Sequence, residues 1–331
     1  MNNEKEMCAD EWLKKWYPIN GKSSDLRNNH PGCINFLKLT TNYWKIRIEI
    51  TSLDLSYSDE GNIKAIYPES VKLLGDLNLT TFLNLKHLNV NGNLLTNLEL
   101  PTSLENLCCN NSSLNFLNVK LCYQLKFLSC IGNQINDLDL RNNLNLRCLC
   151  CCNNQLKRLD LRQNNVLIIL DCAFNQIEEI LLDSIESLEV IKLNDNLLTS
   201  FPYEIINIEI LIELSLFSNN LERTNIDIFK NFKKLEKLLI GNLDFSKIEK
   251  GIYNYFCGSL ESLKNLTNLE LLMADNTHIT NCSENAYLRR KNIINYSKPS
   301  YLLKKVFDIK LRSLSLEEEK IKYNNLLVIE E

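Results

Sequence analysis

Histidine is almost absent from this chain: three in 331 residues, at His30, His87 and His278. A metal site or general base built on imidazole has little to draw on. His87 falls at an outward strand position and the other two in irregular segments, so all three read as surface residues. Glycine is scarce too, nine in all. No phosphate-cradling glycine loop and no Gly-x-Ser-x-Gly elbow occurs. Apolar runs stay far short of the ~20 residues a membrane span needs; the one from Ile205 to Phe217 is broken by Asn207, Glu209 and Glu213. The polar start, Met1-Asn-Asn-Glu-Lys-Glu, offers no apolar signal core. Net charge is −4, which implies no wholesale attraction to nucleic acid or acidic membrane. These absences predict a cytoplasmic chain that spans no membrane, catalyses nothing, and needs neither cofactor nor metal.

Cysteine is the exception, with thirteen residues. Four of them, Cys109, Cys130, Cys151 and Cys172, follow one another at intervals of 21. They belong to a repeat. Blocks begin at Leu104, Leu125, Leu146, Leu167 and Leu188, each 21 residues after the last. The Leu146 block reads L-x-x-L-x-C-x-x-N-x-L-x-x-L-x-L. A fixed period of this size marks a solenoid, in which each repeat packs on its neighbours alone. Apolar residues at block positions one, four and six belong on the inner face of a short strand and its approach, and the residues between them point outward. Cys at position six then serves as a small buried hydrophobe. Parallel strands need a crossover, and 21 residues leave no room there for a full helix. Asn at position nine recurs at Asn93, Asn133, Asn154, Asn175, Asn196 and Asn219. Such a ladder can bond the backbone groups that no strand partner reaches; Ser112 stands in its place in the Leu104 block and reaches less far. The expected architecture is an α/β solenoid, a horseshoe with a parallel concave β-sheet, short extended or 3₁₀ convex segments and helical terminal caps.

The outward positions, three, five, seven and eight, change along the array. They are polar first (His87, Asn89, Asn91; Asn106, Cys108, Asn110). They turn apolar and thiol-rich at Phe127, Ile131, Cys148, Cys150, Cys152, Ile169 and Phe174. Asp171, Val190, Lys192 and Phe217 complete the far side. Exposed apolar patches mark interfaces, and concave solenoid faces are where such arrays bind. These eleven residues are the candidate site for a protein partner. The competing reading is a redox- or metal-responsive site at Cys148, Cys150 and Cys152, which share the outer strand face. Strand spacing makes a poor cage for zinc, and Cys148 and Cys151 point to opposite faces, unlike a redox pair. Asp139 and Asp160 recur between convex leucines and read as solvated positions.

Residues 1–45 carry no repeat and read as an N-terminal cap, with a short helix at Asp10 to Tyr17. The array runs over 46–282. Ile46 to Leu55 supplies its first strands, 56–76 is degenerate, and a clear repeat begins at Leu85. After Leu188 the period stretches to 23 and then 24 residues, and Phe201-Pro202-Tyr-Glu-Ile205 suggests a helical turn. Residues 244–265 read as an insertion leaving the array. The remainder, 283–331, reads as a C-terminal cap with a solvated basic face.

In-phase Leu, Cys and Asn positions over about Ile46 to Ile279 make the chain resemble the leucine-rich repeat. Three features narrow the likeness. They are Glu11-Trp12-Leu13-Lys14-Lys15-Trp16-Tyr17-Pro18, the Cys-for-Leu exchange in short blocks, and Gly251-Ile-Tyr-Asn-Tyr-Phe-Cys-Gly258-Ser-Leu-Glu-Ser-Leu-Lys-Asn-Leu-Thr-Asn-Leu269. Together they resemble an expanded family of cytoplasmic fungal L-domain-like proteins. That resemblance implies architecture and a recognition scaffold rather than a reaction.

Overall fold

The computed structural model describes residues 5–9, 11, 51–56, 71–182, 185–203, 206–280 and 294–295. Among them, eleven short parallel strands form one sheet. In order they are Ser52–Asp54, His87–Asn89, Asn106–Cys108, Phe127–Ser129, Cys148–Cys150, Ile169–Asp171, Val190–Lys192, Glu213–Ser215, Lys237–Leu239, Leu271–Met273 and Ile294–Asn295. Pairing is in phase with the repeat: Phe127 lies beside Cys148, Cys148 beside Ile169, Ile169 beside Val190. Most of these strands occupy positions three to five of a block, so sequence period and sheet register are the same fact.

The strands are short because most blocks turn at their eighth residue. Gly92, Asn111, Gly132, Asn153, Phe174, Asp195 and Ser218 occupy this position, and all have positive φ, between 50° and 75°. Glycine, asparagine and aspartate enter this left-handed region at little cost. The expectation that position eight is one more outward strand position is therefore corrected. It is the corner where the chain leaves the sheet.

Behind the sheet lies a continuous apolar core. Leu104, Leu107, Cys109, Leu114, Leu125, Leu128 and Cys130 are all fully buried, as are Cys151 and Cys172. Cysteine fits at position six because the stacked rungs bring these side chains together; the Cys151 and Cys172 sulfurs are 2.8 Å apart.

The asparagines at position nine hold the corner. Asn154 Oδ1 accepts the Ile135 amide at 3.0 Å. Its Nδ2 donates to the Cys130 and Cys151 carbonyls at 2.9 and 3.1 Å. Asn93, Asn133, Asn175, Asn196 and Asn219 do the same on their own rungs. Ser112 Oγ is buried and finds no partner, the shortfall its shorter side chain predicts. The ladder does not stop at Asn219. Asn254 Oδ1 accepts the Leu221 amide at 3.1 Å, and its Nδ2 donates to the Leu216 carbonyl at 2.7 Å. The insertion expected at 244–265 is therefore narrower. A helix, Phe245–Glu249, leaves the array, and the chain is back in register by Asn254. A second ladder runs along the other edge: Asn143 Nδ2 donates to the Val119 and Cys122 carbonyls, and Asn164 Nδ2 to Leu140 and Asn143.

Away from the concave sheet the segments are extended, with strand pairs such as Arg158–Asp160 beside Glu179–Leu181. The longer repeats add 3₁₀ turns at Ile226–Phe229 and Leu260–Leu263. One expectation changes. Residues 56–76 include the start of an eight-residue strand, Val71–Asn78, paired with Leu94–Glu99. In the expected N-terminal cap, Lys5–Cys8 is a strand parallel to Val71–Asn78, and of the helix expected at Asp10 to Tyr17 only Glu11 is described, in helical conformation. Apart from Ala9 and Ile294–Asn295, the rest of both expected caps lies outside the described residues, as do Ile46, Ile48, Ile50, Glu204, Ile205 and His30. His278 is in a strand, His278–Thr280, not an irregular segment.

Candidate functional site

Two rows of side chains cross the middle of the concave sheet. The first row is Phe127, Cys148, Ile169 and Val190, contributed by four adjacent strands and all half-buried. This is the apolar run expected from the sequence, brought into one line by register. Ile131 and Phe217 are half-buried just past the ends of their strands. The second row is Ser129, Cys150, Asp171 and Lys192. Here the expected exposure is corrected: Ser129, Cys150 and Lys192 are buried, at 4, 7 and 6% exposure. Neighbouring side chains contact this row: Ser129 Oγ donates to Asn110 Oδ1 at 2.7 Å, Cys150 meets Cys148, and Lys192 Nζ reaches Glu213.

Phe174 differs from every other corner. Its φ is 53°, and its side chain is 43% exposed. Its amide donates to the Asn194 carbonyl at 3.0 Å, and its carbonyl accepts the Asn154 amide at 3.3 Å. The backbone is thus tied down in a region that costs a bulky residue about 1–2 kcal/mol. Solvent-facing rings recover little of that cost by packing.

Charge borders the apolar row. Glu213 receives Lys192 Nζ at 3.3 Å and Lys237 Nζ at 3.2 Å. Lys192 and Glu213 are both more than nine-tenths buried. Beyond them lies a second apolar group that the sequence reading passed over: Leu239 beside its register partner Met273, with Leu271 on the same strand as Met273 and beside Lys237. Its signal was present, since Leu235 and Leu269 open blocks of the same pattern. Also missed was a lateral ridge of exposed Leu83, Leu121, Tyr123, Leu144 and Val166. Leu83, Tyr123 and Leu144 each stand two residues before a block's first leucine.

Among the three outward cysteines, Cys148 and Cys150 approach at 3.8 Å between sulfurs. Cys152 lies past the strand end. The Cys150 thiol is pushed well above its ordinary pKa, first by its hydrogen bond with Cys148 and then by burial. Burial likewise raises Cys152, and takes Cys108 to about 11. Cys108, Cys150 and Cys152 are thus not activated thiolates, which would need a lowered pKa. Asp195, beside the Phe174 corner, has its carboxyl raised by burial foremost. No group of three or more His, Cys, Asp or Glu side chains is gathered for a metal among the described residues.

No protein-family model and no curated protein matches this chain. Solved structures do. The leucine-rich repeat domain of APL1B is 18% identical over 64% of this chain and 64% of its own, with a TM-score of 0.48. This chain has the leucine-rich repeat fold. A TDR receptor matches at a TM-score of 0.51 and 19% identity, over 70% of this leucine-rich repeat chain and 40% of the receptor's. An internalin, InlF of Listeria monocytogenes, matches at 0.46 and 18%, over 86% of this chain and 96% of that one. The chain thus spans less than two thirds of the APL1B and TDR receptor chains. No helix among the described residues is long and apolar enough to cross a membrane.

Proposed function

We propose that this leucine-rich repeat chain is a non-catalytic, cytoplasmic scaffold or regulator that grips a protein partner on its concave face. Phe174 carries the reading. Seven other blocks place glycine, asparagine, aspartate or serine at the left-handed corner (Gly92, Asn111, Gly132, Asn153, Asp195, Ser218 and Asn276). A strained, exposed aromatic there makes sense as an anchor, because residues held in costly conformations cluster at functional sites and aromatic anchors dominate interface energies. Phe127, Cys148, Ile169 and Val190 supply the apolar floor beside it. Ile131 and Phe217 extend that floor, and Asp171 and Lys192 mark its polar edge. The described cysteines are free thiols, in keeping with a reducing compartment.

The test is affinity capture with the full chain against the variants Phe127→Asp, Ile169→Asp and Phe174→Asp. Each should lose the captured protein while keeping the circular dichroism spectrum of the parent. Tyr123→Asp with Leu144→Asp, on the lateral ridge, should keep it. The opposite pattern moves the binding surface to the ridge.

A further inference from the structure

The lateral ridge is built by two tight turns in succession before each concave strand. The Cys122 amide donates to the Val119 carbonyl at 3.0 Å and the Leu125 amide to Cys122 at 3.1 Å; Asn143 and Leu146 repeat this on the next rung, Asn164 and Leu167 on the one after. Such turns bury every third residue, as at Val119, Cys122 and Leu125, and expose the two between. The rungs stack in register: Asn142 Nδ2 donates to the Lys120 carbonyl and Asn145 Nδ2 to the Tyr123 carbonyl, both at 3.1 Å. Leu121, Tyr123, Leu144 and Val166 thus stand exposed along one edge. Among them run two rows of exposed cations, Lys120, Arg141 and Arg162, then Lys126 and Arg147. The acids that pair with these cations are set back. Asp139, Asp160 and Glu105 side chains are 19 to 29% exposed, against 50 to 66% for Lys120, Lys126, Arg141 and Arg162. An approaching surface therefore meets positive charge first. The patch is bounded: the row of Tyr123 and Leu144 continues through Asn165 to Glu186, and that of Lys126 and Arg147 through Ile168 to Glu189.

We propose that this edge docks on an acidic lipid surface, with Leu121, Tyr123, Leu144 and Val166 dipping among the headgroups and the two basic rows facing lipid anions. Charge complementarity selects an anionic occupant. The spacing of the apolar side chains selects a fluid one. Leu121 shares its row with Asn142 and Gln163, and Val166 shares its row with Gln124 and Asn145, so polar amides separate the apolar tips and no continuous groove forms. A protein partner needs a complementary packed core at its interface, whereas a headgroup layer closes around scattered apolar tips beside long basic side chains. The chain's small negative net charge does not oppose this, because the acids opposite these cations are recessed. The ridge is separate from the concave sheet, so this docking and the scaffold reading stand or fall independently.

The experiment is co-sedimentation of the purified full chain with vesicles of phosphatidylcholine alone or mixed with phosphatidylserine. The expected result is binding to the mixed vesicles that falls about tenfold on phosphatidylcholine alone. Leu121→Ser with Leu144→Ser, and separately Lys120→Gln with Arg147→Gln, should each weaken it by about tenfold. Lys157→Gln with Lys250→Gln, exposed cations off the ridge, should leave it unchanged. All the substituted residues are exposed, and circular dichroism checks that each variant keeps the parent's fold. A parent that ignores both vesicles overturns the proposal, as does equal binding to both. Undiminished binding by either folded ridge variant also overturns it, and places the attachment elsewhere on the chain. Ridge-dependent retention on immobilised polyglutamate without vesicle binding assigns the edge to an acidic protein instead.

Discussion

Glu213 and Lys192 form a nearly buried ion pair on the concave sheet, 3.3 Å apart across neighbouring strands. Lys237 closes on the same carboxylate from the other side at 3.2 Å. Removing one member of such a group strands the others in a poorly hydrated place. Glu213→Ala should therefore cost about 3 kcal/mol in a urea unfolding experiment. The triple variant Lys192→Met, Glu213→Leu, Lys237→Met leaves nothing stranded and should return to within about 1 kcal/mol of the parent. A Glu213→Ala loss below about 0.5 kcal/mol would mean that water screens the pair as it does at an open surface.

The asparagine ladder should behave as a structural element. Asn154 makes three close bonds to backbone groups of two blocks, to Ile135 and Cys130 of one and Cys151 of the next. Asn154→Ala unpairs an amide and weakens two carbonyl contacts in the interior, at about 1–3 kcal/mol for each group left unmet. We expect a loss of about 3 kcal/mol in total. Hydrogen exchange should rise first at the Ile135 amide. Uniform exchange with unchanged stability would show that water replaces the side chain.

These two cases mark what could be read from the chain itself. The ladder was legible because Asn93 through Asn219 repeat in phase with leucine, and a buried amide beside a turning strand has one plausible use. Asn254 was not, since the helix at Phe245–Glu249 displaces it from the period while the backbone still delivers it to the same corner. The concave row was legible at Phe127, Cys148, Ile169 and Val190, because alternation fixes direction. The burial of Lys192 and Glu213 was not. It depends on contacts across strands, such as the ion pairs of Glu213 with Lys192 and Lys237, which no spacing within a block encodes. Position eight was misread because strand alternation was carried one residue too far, past the point where Gly92, Gly132 and Asn153 already signalled a left-handed turn.

Acid should weaken the fold through two repeated carboxylates. Arg141 donates to both oxygens of Asp139 through Nε and Nη2, and Arg162 treats Asp160 likewise. These bonds hold Asp139 well below the usual carboxylate range and Asp160 at about 2. A carboxyl with a lower pKa folded than unfolded contributes stability above its unfolded value, ~3.9. That stability is lost as pH falls through the folded value. Each pair is partly exposed, so its contribution at neutral pH is about 0.5 kcal/mol. Asp160→Asn should therefore lower the urea midpoint slightly at neutral pH, and the gap should close as the pH falls from about 4 to about 2. A gap that persists through that range would assign the effect to packing instead.

Phe174 should trade stability for binding, and the two can be separated. Asparagine tolerates the left-handed corner that Phe174 occupies at φ 53°. Phe174→Asn should therefore raise unfolding stability by about 1 kcal/mol while weakening partner capture. Phe174→Ala removes the ring but keeps a Cβ-bearing residue without asparagine's local hydrogen bond, so it should lose capture with no comparable gain. The contrast between these variants isolates the backbone cost from the ring's contact. Equal stability of the two would place no strain at the corner. Undiminished capture by both would leave the exposed ring without a role in recognition, and the apolar row from Phe127 to Val190 would have to hold the partner without it.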